Sequence, residues 1–373
     1  MTNMTIQKQV FVQELLNWFR ENKRDLPWRK HKNPYYIWIS EIMLQQTRVD
    51  TVIPYFENFI DKFPTIETLA DAPEDDVLKA WEGLGYYSRA RNLHSAVKEV
   101  KASYGSVVPD SPKDISSLKG VGPYTAGAVL SIAYDKPEPA VDGNVMRVLS
   151  RYFLIQEDIT KVSTRTSMEK IIREIIPHDA ASDFNQGLME LGALVCSPKS
   201  PKCLTCPVRE HCEARLNGIE ESLPIKKKAK PPKVEQRLVA LIEGIGVNKG
   251  KILIRQRPDK GLLAGMWELP HYIADNQSTN WMGSDELNED YVIDQYALET
   301  GIELRNGHYM FDINHVFSHI FWDMKVYRFK ENHSLIEKDL IQRESGYHYA
   351  WISLQEVDQY VFPNVFLRIF KQV

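Results

Sequence analysis

The chain has 373 residues, of which 43% are hydrophobic, 10% aromatic and 26% charged, with a net charge of −4 and a pI near 6.2. That length predicts about two domains, and the absence of any run of ~18 apolar residues excludes a span across a membrane. Lys and Arg number 31 against 30 Asp and Glu in residues 1–230, and 15 against 20 beyond, so bulk charge does not advertise nucleic-acid binding and leaves only a local basic face as a route to it.

Taken in chain order, residues 6–216 read as helical almost throughout. Apolar residues recur at helical spacing from Val10 to Phe19, Tyr36 to Ile60, Asp76 to Trp81, Leu93 to Val100 and Tyr124 to Ala133, which predicts an all-α domain of about ten helices. Loops fall where Pro and Gly gather: Asn33-Pro34, Gly83-Leu84-Gly85, Pro109 to Pro112 and Lys136 to Pro139. Glu41 interrupts the apolar stretch Ile37 to Leu44; in a pocket it would be desolvated and kept protonated near neutral pH, as a general acid requires. Leu118-Lys119-Gly120-Val121-Gly122-Pro123 predicts a tight turn between helices, in which the glycines let the backbone bend and the following helix N-terminus offers amides to a phosphate. Asp142 precedes the apolar run Val145 to Val148 and reads first as a helix N-cap.

All four cysteines lie in one seventeen-residue window, Cys196, Cys203, Cys206 and Cys212. No secretory signal opens the chain, so a reducing, cytoplasmic compartment is expected and disulfides are disfavoured. Zinc favours two short Cys pairs. One short pair flanked by uneven loops suits an iron–sulfur cubane better, with zinc as the alternative. Residues 217–233, with Lys226-Lys227-Lys228-Ala229-Lys230-Pro231-Pro232, read as an exposed basic linker. Beyond it the period changes to strands, at Arg237 to Ile242, Lys251 to Arg255 and Trp322 to Phe329, so residues 234–373 form a separate α+β domain.

The spacing C-x6-C-x2-C-x5-C after the apolar helical stretch Phe184 to Val195 resembles the 4Fe–4S loop of the endonuclease III and MutY group of DNA glycosylases. The Leu118 to Val129 segment looks like that superfamily's helix-hairpin-helix, with Lys119 where proline is usual. The resemblance implies a multidomain chain: an all-α helix-hairpin-helix glycosylase domain, 1–216, with the cluster loop 196–212; the linker 217–233; and a Nudix-like α+β domain, 234–373. It implies that Asp142 is the essential carboxylate facing the sugar, and Glu41-x3-Gln45-Gln46-Thr47 resembles the catalytic helix of the adenine-specific branch. Tyr124 stands where bifunctional relatives carry a Schiff-base lysine; tyrosine forms no imine, so hydrolysis by water is implied. Asn144 and Tyr124 are implied to orient the carboxylates.

By the same resemblance Arg24, Trp28, Arg29 and Gln186 serve an adenine pocket. Gln46, Tyr86, Lys119, Gly120, Val121 and Gly122 contact DNA, and Phe317, Ser318 and His319 read 8-oxoguanine. The cofactor implied is one 4Fe–4S cluster on the four cysteines. The partner implied is double-stranded DNA with adenine opposite 8-oxoguanine or guanine, met by a monomer in the cytoplasm. A working Nudix hydrolase needs a carboxylate-rich box, of which only Leu298-Glu299-Thr300-Gly301-Ile302 remains. The competing readings are a bifunctional glycosylase-lyase, a Nudix pyrophosphohydrolase with a helical appendage, and a non-catalytic cluster-bearing DNA-binding protein.

Overall fold

A computed structural model describes residues 3–227, 230–274, 286–331 and 347–373. It divides into two compact units, Met1–Ala80 with Ser88–Lys228, and Trp81–Tyr87 with Ala229–Val373. Lys228 and Ala229 of the basic linker run lie outside the described residues.

The first unit is built of helices: α1 (Asn3–Asn22), α2 (Pro34–Leu44), α3 (Val49–Lys62), α4 (Ile66–Asp71), α5 (Glu74–Ala80), α6 (Ser88–Ser103), α7 (Pro112–Ser117), α8 (Pro123–Tyr134), α9 (Gly143–Tyr152), α10 (Val162–Ile175), α11 (Ala181–Leu194) and the single turn α12 (Glu213–Leu216). Their ends follow the sequence. Asn33 caps α2 by accepting from the Tyr35 amide at 2.9 Å, with Pro34 at the first helical position. Ser111 caps α7 ahead of Pro112, and Pro123 opens α8. Asp135, at φ 54°, closes α8 in the left-handed region.

Helices that are apolar on all sides belong inside. α2 buries Ile37, Trp38, Ile39, Ile42 and Met43 and packs on α8, which buries Ala126, Ala128, Val129 and Leu130. A second core joins α1, α9, α10 and α11 through Phe11, Leu15, Leu149, Met168, Ile172, Phe184 and Leu188. The segment before α9 must press against α8. A Cβ on Gly127 would sit 1.9 Å from the Pro139 carbonyl oxygen, so only glycine permits that approach.

Among its described residues the second unit carries a seven-stranded mixed sheet: β1 (Lys233–Glu243), β2 (Ile252–Gln256), β3 (Trp267–Glu268), β4 (His271–Ile273), β5 (Leu304–Val316), β6 (Ile320–Glu331) and β7 (His348–Ile352). The order is β3-β2-β1-β6-β5, with β4 on β1 and β7 on β2. β1 and β6 run parallel, while β5 and β6 form an antiparallel hairpin. Alternation along β1 splits its side chains between two cores. Leu238, Ala240 and Ile242 meet Val292 and Tyr296 of α13 (Glu286–Thr300). Val239 and Leu241 meet Val365, Phe366 and Ile369 of α14 (Asn364–Phe370). The sheet is thus covered by a helix on each face.

Candidate active site

A cleft of about 600 Å³ opens in the helical unit. Glu41 enters it from α2, Tyr124 from the first turn of α8, and Asp142 and Asn144 from the start of α9. Arg24, Trp28 and Arg29 come from the connection between α1 and α2, Gln186 from α11, and Gln46 from the residues after α2. Gly120 and Gly122 border the same space. The two carboxylates and the four adenine-pocket residues expected from sequence therefore share one wall-to-wall cavity.

Glu41 is 4% exposed. The Tyr124 hydroxyl donates to its Oε2 at 2.5 Å and lies 3.8 Å from the Met189 sulfur. Burial pushes the Glu41 carboxyl up to about 7; the Tyr124 hydrogen bond opposes this, the Asp142 charge adds to it and the Arg29 charge opposes it. Burial raises the Tyr124 phenol too, with the Glu41 and Asp142 charges adding to it, so it stays a hydroxyl donor. Asp142 is also raised by burial, but the Val145 amide and Asn144 favour its anion. Its Oδ1 accepts from the Val145 amide at 2.7 Å as the N-cap of α9, and its Oδ2 accepts from Asn144 Nδ2 at 3.0 Å. The capping role and a place in the cleft thus coexist in one side chain.

Two residues absent from the sequence expectation organise this site. Glu190, 1% exposed on α11, accepts hydrogen bonds from both Arg24 and Arg29. Burial works to raise its carboxyl, but those hydrogen bonds and the Arg29 charge outweigh it and hold the group at about 2. The signal was present: Glu190 is a lone carboxylate four residues after Gln186, hence on the same helix face. Arg147 is the other. Its Nη2 donates to Asn144 Oδ1 and to the Gly192 carbonyl, both at 2.8 Å, and its Nε donates to the Cys196 carbonyl at 2.7 Å. Gln186 donates to the Ser182 hydroxyl at 3.1 Å, and Trp28 is buried edge-on to Phe56.

In the hairpin between α7 and α8, Lys119, Gly120 and Gly122 are exposed and Val121 is buried. Gly120 takes φ +79°, and a Cβ there would lie 2.7 Å from the Asn92 Cβ. The turn therefore needs glycine at 120, whereas Gly122 adopts a φ of −90° open to any residue. Lys119 and Val121 do not line the cleft.

The four cysteine thiols gather beside the second core, with Cys196, Cys206 and Cys212 packed against it. Arg151 of α9, 2% exposed, donates through Nη1 to the Cys196 sulfur at 3.3 Å and to the Ser197 carbonyl at 2.7 Å, and through Nη2 to the Pro198 carbonyl at 3.0 Å. A guanidinium aimed at a sulfur suits a ligand thiolate. Burial pushes the Cys206 thiol up to about 12, with the charges of the other three cysteines adding to it. Four sulfurs from one loop, three of them against the same core, are a donor set of the kind that holds an iron–sulfur centre. Among the described residues no three His, Cys, Asp or Glu side chains close on a single ion.

In the second unit, Phe317, Ser318 and His319 form the tip of the β5–β6 hairpin. Phe317 stacks edge-on to Trp322 at 4.7 Å, while Ser318 and His319 are exposed. Tyr86, at φ 49°, belongs to the Trp81–Tyr87 segment of the same unit, and the Ser318 hydroxyl lies 3.2 Å from its phenol oxygen. Neither Tyr86 nor this tip lines the cleft. Glu299, the remaining carboxylate of the Nudix-type box, is held by Arg255 through two contacts of 2.7 Å and by the Tyr349 hydroxyl. Arg255 also donates to the buried Glu268 at 2.9 Å. An internal guanidinium thus sits against the carboxylate that a hydrolase would turn toward divalent metal.

A helical unit with a hairpin turn, a buried and a half-buried carboxylate in one cleft and a cysteine loop defines a class of DNA repair enzyme, and the comparisons agree. Residues 39–174 match the HhH-GPD superfamily of base excision DNA repair proteins, and residues 244–372 match a NUDIX domain. An adenine DNA glycosylase of Buchnera aphidicola (subsp. Schizaphis graminum) is 38% identical over 75% of this chain and 80% of its own. The Homo sapiens adenine DNA glycosylase is 33% identical over 85% of this chain and 66% of its own. The solved structure of a thermostable thymine-DNA glycosylase aligns with a TM-score of 0.53 at 30% identity, covering 58% of this chain and 100% of that one. The chain belongs to the adenine DNA glycosylase family, and it is a base-excision repair enzyme that cleaves adenine from DNA. Among the described residues no helix is long and apolar enough to cross a membrane.

Proposed function

We propose that this glycosylase acts as a monomer on double-stranded DNA, removing adenine opposite 8-oxoguanine or guanine by hydrolysis without a lyase step. The observation that carries the reading is the buried Glu41, hydrogen-bonded by the half-buried Tyr124, in one cleft with Asp142. The adenine must leave the stack, because its sugar bond is unreachable within the duplex. Glu41, poised near neutrality, donates its proton to N7 and makes adenine a better leaving group. Asp142 remains the anion of the pair: it accepts two hydrogen bonds, one from a helix N-terminal amide, and both favour the charged form. It stabilises the positive charge that develops on the sugar. Glu41, now deprotonated, activates water, the logic of paired carboxylates in glycoside hydrolysis. Tyr124 offers no amine for an imine.

The boundaries that go with this reading are a glycosylase domain at 1–216, a linker at 217–233 and a recognition domain at 234–373. Cys196, Cys203, Cys206 and Cys212 would hold a 4Fe–4S cluster, which orders the loop carrying Lys199 and Lys202 rather than entering the reaction. Arg24, Trp28, Arg29 and Gln186 would frame the base. Gln46, Tyr86 and the Lys119–Gly122 turn would meet the DNA backbone and the space the base leaves. Phe317, Ser318 and His319 would read the oxidised purine.

The test is base release from duplexes with adenine opposite 8-oxoguanine, guanine, thymine and cytosine. Release should favour the first two, and borohydride should trap no adduct on abasic DNA. Equal release from all four duplexes defeats the mispair assignment, and a trapped adduct defeats the hydrolytic one.

A further inference from the structure

Glu190 stands opposite two guanidinium groups. Its Oε1 accepts from the Arg24 amide at 3.1 Å and from Arg24 Nε at 2.7 Å, and its Oε2 accepts from Arg24 Nη2 and Arg29 Nη2, both at 2.9 Å. Arg29 Nη1 donates to the Arg24 carbonyl at 3.1 Å, and the Arg29 guanidinium lies 5.6 Å from the Phe19 ring centre. All three charged residues line the cleft of Glu41 and Asp142. The geometry is that of a buried carboxylate clamping two cations into the wall of the base pocket.

The clamp has an electrostatic consequence for the proton donor. With Glu41 protonated, the charges of Arg24 and Arg29 are matched by those of Glu190 and Asp142, while Arg165 adds a cation to the cleft wall and Arg147 acts on Asp142. Without the Glu190 charge, Arg24 and Arg29 would share the cleft wall with Asp142 as the one anion beside them. A nearby cation favours the ionised form of a carboxylic acid, and an ionised Glu41 cannot donate a proton.

We propose that Glu190 is a positioning residue which neutralises Arg24 and Arg29, so that both can line the base pocket without drawing the proton off Glu41. The inference rests on Glu41 being the proton donor. The charged and titratable groups around it come from several elements, among them Arg89 of α6, which donates to the Ile42, Met43 and Gln45 carbonyls. Tyr124 of α8, Asp142 at the start of α9 and Arg29 of the turn before α2 act on Glu41. Asp50 of α3 acts on Arg24, Arg147 of α9 acts on Asp142, and Arg165 of α10 lines the cleft.

The experiment is single-turnover adenine release by the full chain across about pH 5 to 9, where the alkaline limb reports the essential acid. The wild type should lose rate as pH rises through about 7. Glu190→Gln should move that limb about one pH unit lower, a roughly tenfold extra loss on its alkaline side. Glu190→Asp, which keeps the charge at altered reach, should be slower with the limb in place. Arg24→Gln should move the limb upward, and Arg29→Gln combined with Glu190→Gln should return it toward the wild-type position. A Glu190→Gln limb that coincides with the wild type, with rates lowered equally at all pH, overturns the inference alone. A wild type with no alkaline limb overturns the donor assignment and this inference with it. Should Glu190→Gln fail to fold, Arg24→Gln decides: an upward shift supports the charge balance and an unmoved limb overturns it.

Discussion

Replacing Glu41 with Gln should stabilise the protein while it abolishes adenine release. The carboxyl is 4% exposed and is raised by burial from 4.5 to about 7. An acid that is harder to ionise when folded binds more proton in the native state than in the unfolded chain across that interval. Stability from this group is therefore full below about 4.5 and falls as pH rises, until both states are ionised above about 7. At about 1.36 kcal/mol per pH unit, the displacement costs the native state about 3 kcal/mol on the alkaline side. Gln has nearly the same shape, keeps an oxygen to accept from the Tyr124 hydroxyl, and never ionises.

The assay is urea denaturation of wild type and variant, followed by far-ultraviolet ellipticity, at about pH 5 and pH 8, with the variant's advantage growing by about 2–3 kcal/mol between them. Asp142 is raised by burial too and is carried by both proteins, so the difference between variant and wild type reports the Glu41 carboxyl together with its coupling to Asp142. Single-turnover release should meanwhile fall to background. A stability difference that does not change with pH would mean that the Glu41 carboxyl is solvated in the native state, and the argument for a poised proton donor would fail.

Asp142→Asn should keep stability within about 1 kcal/mol, because Asn is also a good cap, while adenine release disappears; melting and single-turnover rates check both halves. Gly127→Ala places a Cβ where 1.9 Å separates it from the Pro139 oxygen, so it should cost about 1–3 kcal/mol by overpacking and slow release by displacing the segment that leads to Asp142. The purified protein should be brown and carry iron, and Cys203→Ser or Cys206→Ser should reduce soluble yield or DNA affinity more than the chemical step; a colourless, active protein with zinc would reverse the cluster assignment. Ser318→Ala with His319→Ala should lower the preference for 8-oxoguanine over guanine opposite adenine by roughly ten- to a hundredfold, the worth of one or two hydrogen bonds, with cleavage of saturated adenine:guanine substrate unchanged.

The helical unit was legible because its signals are local. Asn33-Pro34 and Pro109 to Pro112 read as loops and Gly122-Pro123 as a turn into a helix, and the structure opens α2, α7 and α8 at these breaks. Strand alternation around Arg237 to Ile242 likewise gave β1, because a sheet covered on both faces still sorts its side chains by parity. Glu41 stood out as a charge in an apolar run. The requirement for Gly120 could be half read: the paired glycines announced a turn, but only the backbone shows that one of them carries the positive φ. The short strands β3 and β4 left no usable signal, being two and three residues long.

What the sequence hides is the layer behind the reacting groups, and the reason lies in how that layer is built. Asp142, Asn144, Arg147 and Arg151 follow one another at the start and along one face of α9, and the two arginines are anchored on other elements: Gly192 and Cys196 hold Arg147, and Cys196, Ser197, Pro198 and Leu223 hold Arg151. A buried arginine needs several acceptors to offset its desolvation, and those acceptors are mostly backbone oxygens, which every residue possesses and which therefore leave no mark in composition or spacing. The same holds for Glu190, whose partners Arg24 and Arg29 lie more than 160 residues earlier in the chain. Arg24 and Arg29 read from sequence as residues that touch the base. In the fold most of their hydrogen bonds go to Glu190 and to each other, so both arginines reach the cleft already paired with a carboxylate on α11.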